Sequence, residues 1–215
     1  MPFGVDEAGR GPALGSMFVA AVATGEPTAL PDSVADSKTL APDTRRSLAR
    51  TIEGDDRFRT AVVEVTPEEI DDPETDLNAL TVQAHASVID AVAVAGSQGL
   101  CDACDTDPDR FRRRVEERLE TSLSLEARHA ADETSSLVGA ASILAKQARE
   151  DHVATLRSTY GAVGSGYPAD PTTKSFLESY VGENGKLPPC ARRSWRTCKR
   201  VLSRAEQADL GAFDG

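Results

Sequence analysis

Aromatic side chains are scarce in this chain, with one Trp, three Tyr and six Phe among 215 residues. Lysine is scarcer than arginine, since only five of the 24 bases are lysines, and 35 acids leave a formal net charge of −11. An enzyme of nucleic acids is normally near neutral or basic, so this balance argues against a broadly basic binding surface. Acid excess with arginine favoured over lysine reads as a protein from a cytoplasm of very high salt. An ordinary acidic protein that avoids nucleic acid is the other reading. No apolar run approaches the roughly 18 residues of a membrane span, and no signal-peptide pattern opens the chain. A soluble, cytoplasmic, monomeric protein is expected.

Cysteine and histidine are also few. Cys101 and Cys104 form one C-x-x-C pair, but Cys190 and Cys198 lie too far apart for a second. That disfavours a two-pair zinc site and leaves reduced thiols as the expectation. His85, His129 and His152 match no ligand spacing. The glycine-rich segment 161–166 is followed by no Lys-Ser/Thr and is not a nucleotide cradle. There are no internal repeats.

What is present is concentrated first in Pro2-Phe3-Gly4-Val5-Asp6-Glu7-Ala8-Gly9-Arg10-Gly11-Pro12. A short buried strand runs into two carboxylates and a Gly-Arg-Gly-Pro turn. Neighbouring strand side chains point to opposite faces, so Asp6 and Glu7 share one site only if the strand ends or twists there. Paired carboxylates beside backbone N–H groups and an arginine suit a divalent cation holding a phosphate. A strand followed by a charged turn is the plainer reading.

Further strands are expected over 16–24, 60–65, 99–103 and 124–129. Helices are expected over 42–53, from Asn78 to Gly96, from Asp107-Pro108 to about Thr121, and over 135–160, with a short acidic helical turn at 67–69. This order fits an α/β protein with a five-stranded mixed sheet flanked by helices. Within the long helix, Gly139-Ala140-Ala141-Ser142 is small enough to let the backbone lie close to the sheet. Asp6 with Glu7, Asp102 and Asp132 then stand at the ends of separate strands. Carboxylates converging there repel one another unless cations neutralise them, and oxygen-only ligands select Mg²⁺ or Mn²⁺. Such a cluster beside a basic groove points to two-metal phosphodiester hydrolysis.

Residues 186–204 supply the basic segment. Lys186, Arg192, Arg193, Arg196, Lys199, Arg200 and Arg204 occur there without an acid, and Trp195 sits among them. Arg192, Arg196, Lys199 and Arg200 recur at helical spacing and are expected on one face, as a nucleic-acid footprint.

Taken together, Asp6-Glu7-Ala8-Gly9-Arg10-Gly11-Pro12, Asp36-Ser37-Lys38, Asp102-Ala103, Asp132, Ala140-Ala141-Ser142-Ile143-Leu144-Ala145-Lys146 and Gly164-Ser165-Gly166-Tyr167-Pro168-Ala169-Asp170 resemble ribonuclease HII in its archaeal form, in order, over about residues 2–204. The resemblance implies a ribonuclease H-like catalytic domain over 1–185, a basic helical C-terminal extension over 186–206 and a tail over 207–215. It implies cleavage of RNA in RNA–DNA hybrids, and at ribonucleotides embedded in duplex DNA, in the service of ribonucleotide and RNA primer removal. Asp6, Glu7, Asp102 and Asp132 would be the catalytic, metal-binding carboxylates, served by Mn²⁺ or Mg²⁺. Gly9, Arg10 and Gly11 would hold the strand at the RNA–DNA junction and Tyr167 would pack on its sugar. Lys38 and Lys146 would assist with phosphates.

The family usually carries a lysine two residues before the last catalytic Asp, where this chain has Ala130. Glu133 reads as a supporting acid or a helix-start residue. Asp105, Asp107, Asp109 and Glu116 mimic a calcium loop, but Arg110 stands where its glycine belongs and a helix cap explains the acids better. A catalytically dead hybrid-binding module and a nuclease acting on DNA alone are the rivals. Finally, Gln207, Leu210 and Phe213 fit the pattern of peptides that dock on replication sliding clamps, in a tail expected to be loosely placed; a tail folded back on its own domain is the alternative.

Overall fold

The computed structural model describes the backbone of residues 1–36 and 40–213, and the side chains of residues 1–34 and 40–207. In chain order the elements are β1 (Pro2–Ala8), β2 (Met17–Ala23), α1 (Pro42–Glu53), β3 (Arg59–Val65), α2 (Pro67–Ile70), α3 (Leu77–Val92), β4 (Gln98–Asp102), α4 (Pro108–Glu116), β5 (Ser124–Arg128), α5 (Ser136–Tyr160), α6 (Pro171–Asn184) and α7 (Arg196–Phe213). The five strands form one mixed sheet in the order β3-β2-β1-β4-β5. β1 and β2 pair antiparallel, while β1, β4 and β5 run parallel. The five-stranded α/β architecture is the one expected. No helix among the described residues is long and apolar enough to cross a membrane, and all four cysteines are free thiols.

The chain divides into two compact units. The first comprises Met1–Ala8, Met17–Glu64 and Leu77–Arg149. Every residue of β2 is buried, as a continuous apolar run requires of a strand covered on both faces. One core joins Ala20 and Val22 of β2 to Leu48, Ala49 and Ile52 of α1 and to Ala140, Ala141, Ile143 and Leu144 of α5. The small residues of α5 do let it lie close. A Cβ added at Gly4 of β1 would stand 2.3 Å from Val138 N and 2.4 Å from Leu137 C, so glycine there is what admits the first turn of α5. α3 packs on β1 and β2, and α4 on β5. α4 ends sooner than expected because Glu117 closes it, and Asp107 caps its start by accepting from Arg110 N–H at 3.0 Å. Arg110 also pairs with Asp105, so the calcium-like acids serve a helix start.

The second unit comprises Gly9–Ser16, Val65–Asp76 and Glu150–Gly215. Its core gathers Ala13 and Leu14 with Leu156, Val163, Leu177, Val181, Cys198 and Val201. α6 is an element the sequence reading did not include. Asp170 caps it through Thr172 N–H at 2.8 Å, Pro171 opens it and Gly185 ends it in the left-handed region, at φ 65°. α7 begins at Arg196, ten residues after the expected start of the basic extension. Its backbone continues as helix through Phe213, so residues 207–213 are in backbone the last turns of α7 and not a separate loose tail.

Candidate active site

β1 stays extended through Ala8, with Asp6 opposite Ala20 and Glu7 opposite Val19 of β2. The alternation of side chains therefore holds across the two acids. Asp6 faces α5, with Ser142 and Lys146 of that helix near enough to influence its charge, and its Oδ1 accepts the Glu7 N–H at 2.7 Å. Glu7 faces α3, its Oε2 standing 3.5 Å from Nε2 of His85. That imidazole is fully buried, contacts Thr81 O through Nδ1 at 2.9 Å and meets the Phe111 ring edge-on.

The parallel register of β1 on β4 sets Val5 beside Cys101. One step further along both strands, Asp6 and Asp102 become neighbours, pointing to the same face. Asp102 Oδ1 accepts the Ala131 N–H at 2.9 Å, which ties the short 3-10 turn Ala131–Glu133, and with it Asp132, to the end of β4. Ala130 opens that turn at φ 53°, a left-handed conformation that a non-glycine residue rarely adopts. Asp6 and Asp132 are both buried. Burial pushes the Asp6 carboxyl up to about 6; the nearby Ser142 hydroxyl opposes the rise, Asp102 adds to it, and the Glu7 N–H bond and Lys146 oppose it. Burial also holds the Cys101 thiol well above its ordinary range, which leaves it inert.

Among the described residues no three acid, histidine or cysteine side chains stand close enough to grip an ion unaided. The donor set nevertheless fits a divalent cation. Asp6 and Asp102 are hard oxygen donors side by side, and the buried member of the pair has its charge disfavoured, which a cation would reverse.

In the second unit, residues 9–16 and the Gly164–Asp170 turn are fastened to each other. Ala13 and Leu14 N–H donate to Gly166 O at 2.8 and 3.2 Å. Ser165 donates twice to Asp170 Oδ2, at 2.6 Å from its N–H and 2.7 Å from its hydroxyl, and these bonds lower the Asp170 carboxyl to about 2. Gly11 and Tyr167 are thereby adjacent: a Cβ at Gly11 would lie 3.6 Å from the ring, an ordinary contact. Gly9 is required for another reason, its φ of 87°. The Tyr167 ring is 44% exposed.

Arg196, Lys199 and Arg200 are exposed on α7, while Cys198 and Val201 turn into the core. With Arg204, Lys174 and Glu178 they border a groove of about 430 Å³, except for Lys199, which stands outside its lining. Arg192 does not join them. It precedes α7, in the turn that Leu14 bridges at Ala191, and it is fully buried, so the expectation that it shares the basic face is corrected. Lys38 and the side chains of Leu210 and Phe213 lie outside the described residues; Gln207 is exposed. Sequence reasoning missed His85, whose lone position gave no signal. It also passed over Ser142 as a neighbour of Asp6, although Ser142 and Lys146 stand four apart on one helix face.

The ribonuclease HII family model matches residues 3–198. Ribonuclease HII of Haloarcula marismortui is 54% identical over 99% of this chain and 100% of its own length. That of Natronomonas pharaonis is 54% identical over 98% of both chains. Among solved structures, the ribonuclease H2 of Pyrococcus horikoshii OT3 superposes with a TM-score of 0.89 at 35% identity, over 96% of this chain and 99% of that one. The ribonuclease HII of Archaeoglobus fulgidus, solved in complex with PCNA, gives 0.81 at 33% identity over 94% and 96%. With its carboxylates, its Gly-Arg-Gly turn and its near-complete match to these proteins, the chain belongs to the ribonuclease HII family.

Proposed function

We propose that this protein cuts at single ribonucleotides embedded in duplex DNA as well as within RNA–DNA hybrids, leaving 5′-phosphate and 3′-hydroxyl ends. Cleavage of RNA in hybrids is the activity of the family to which the chain belongs. The observation that supports the finer reading is the exposed Tyr167 ring set against Gly11 of the Gly9–Gly11 turn, while the neighbouring Asp6–Asp102 pair supports metal-dependent cleavage. Asp6, Asp102 and Asp132 would hold divalent cations, Mn²⁺ or Mg²⁺; Glu7, set on the other face of β1 beside His85, would join them only by reaching around the strand end. When bound, the cations supply an activated water and neutralise charge on the departing 3′ oxygen. The Glu7 N–H keeps the Asp6 carboxylate in place, and Lys146 adds positive charge beside it.

The Gly9, Arg10 and Gly11 turn holds the strand at the junction, and the exposed Tyr167 ring offers a flat surface for the sugar. The 2′-hydroxyl is the group that tells RNA from DNA there. Arg196, Arg200 and Arg204 repeat every four residues, about 6 Å of helix rise, a spacing suited to successive phosphates. Lys199 and Lys38 join them as phosphate contacts. The protein would act as a cytoplasmic monomer in ribonucleotide and primer removal during replication and repair.

A DNA duplex carrying one ribonucleotide, incubated with Mn²⁺ or Mg²⁺, tests this reading. Scission at the ribose is expected. Scission elsewhere would make the chain a DNA nuclease, and binding without scission would make it a hybrid-binding module.

The clamp reading rests on Gln207, Leu210 and Phe213 and on the Archaeoglobus fulgidus relative solved with PCNA. In a helix, positions 207, 210 and 213 stay within about 120° of arc, which suits anchors entering one groove of a partner. Leu210→Ala combined with Phe213→Ala should end co-elution with a PCNA-type clamp and leave hybrid cleavage intact. Retained co-elution would refute it.

A further inference from the structure

Arg192 heads the fully buried side chains of the described residues in size. Burying a guanidinium costs several kcal/mol unless its donors are met, and here they are spent on one short stretch of chain. Nε donates to Gly15 O at 2.8 Å, Nη1 to Arg10 O at 2.8 Å and Nη2 to Gly9 O at 2.6 Å. The Arg192 backbone N–H donates to Ala13 O at 2.9 Å. The guanidinium lies over the Trp195 ring, 5.0 Å from its centroid, and Trp195 Nε1–H donates to Gly11 O at 3.1 Å. Arg192 and Trp195 thus turn the carbonyls of Gly9, Arg10, Gly11, Ala13 and Gly15 toward themselves.

A trans peptide unit points its N–H opposite to its C=O, and this chain has no cis peptide among the described residues. Turning Gly9 O and Arg10 O inward therefore turns the N–H groups of Arg10 and Gly11 the other way. The same logic is visible at Gly15, whose inward carbonyl accompanies a Ser16 N–H directed to His152 Nε2 at 3.3 Å. Two adjacent N–H groups aimed alike make a cradle for one oxygen of a phosphate or a ribose.

We infer that Arg192, with Trp195, is the positioning residue that aims the Arg10 and Gly11 N–H groups at the strand to be cut, and so governs recognition of a single ribonucleotide without touching it. This rests on the reading above, that the Gly9–Gly11 turn holds the junction. Only a planar five-donor fork spans three carbonyls, so lysine cannot replace it.

The test compares wild type, Arg192→Lys and Trp195→Phe on a single-ribonucleotide duplex and on a long hybrid, with amide exchange at Arg10 and Gly11 and thermal melts in parallel. Arg192→Lys should lower kcat/KM on the single ribonucleotide about 100-fold, the cost of displacing a contact by about 1 Å, and much less on the long hybrid, where many registers compete. Exchange at Arg10 and Gly11 should quicken. Trp195→Phe keeps a ring beneath the guanidinium and removes one hydrogen bond, so a smaller shift in the same ratio is expected. An unchanged ratio and unchanged exchange in either folded variant would overturn the inference. Should Arg192→Lys fail to fold, Trp195→Phe decides. Should wild type itself spare the ribonucleotide duplex, the proposed function fails, and the exchange rates still decide whether Arg192 sets the turn.

Discussion

Asp6 is 5% exposed, and burial, reinforced by Asp102, raises its carboxyl to about 6 from 3.8. The fold therefore favours the protonated form. The stability tied to this group is fully present below about pH 4 and is lost as pH rises through about 6, a change of about 3 kcal/mol. Asp6→Asn imitates the protonated form. In metal-free protein it should raise the melting temperature by several degrees at pH 7 to 8, with the gain vanishing toward pH 4; a variant less stable than wild type at pH 8 would contradict this. The same substitution should cut hybrid cleavage to about a thousandth, and activity within tenfold of wild type would remove Asp6 from the chemistry. The closeness of Asp6 to Asp102, and the tie from Asp102 to the turn that carries Asp132, were legible because these acids stand at strand ends; Glu7 facing His85 was not. Arg192 was misread because helical spacing is arithmetic on positions, and nothing in positions 192, 196, 199 and 200 reveals that the helix starts at 196.

At the scale of elements, α5 depends on one missing side chain. A Cβ at Gly4 would fall on the backbone of Leu137 and Val138, which cannot rotate aside as a flexible side chain does. Gly4→Ala should destabilise the protein by about 3 kcal/mol and lower the melting temperature by about 10 °C. It should also weaken cleavage, because Ser142 and Lys146 ride on the displaced helix. A melt within about 2 °C of wild type would show that α5 has room to move. Four strands were legible to within a residue, since alternation and bounding glycines mark them, but β1 runs to Ala8 rather than ending at Val5, because its pairing with β2 continues past the two acids. α6 was overlooked although Asp170-Pro171 repeats the Asp-Pro start that revealed α4, and Leu177 and Val181 stand four apart inside the core. The contact between Glu7 and His85 joins positions 78 apart on two elements, and no local pattern encodes it.

The whole molecule carries −11 on 215 residues, and its relatives at 54% identity come from Haloarcula marismortui and Natronomonas pharaonis. At 1 M salt the Debye length is about 3 Å, so repulsion among surface acids is largely screened. Phosphate attraction weakens in the same medium, leaving short-range hydrogen bonds to carry more of any binding to nucleic acid. Cleavage should therefore persist above about 1 M KCl, and the folded state should melt lower as salt is removed; full stability at low salt with loss of cleavage at 1 M would refute a salt-adapted design. The bonds from Arg192 to Gly9 and Arg10 also join residues 183 and 182 positions apart. The shape of the Gly9–Gly11 turn is thus set from that distance along the chain, so a single clip in any loop between them leaves the turn and its brace on separate pieces, held only by packing and hydrogen bonds.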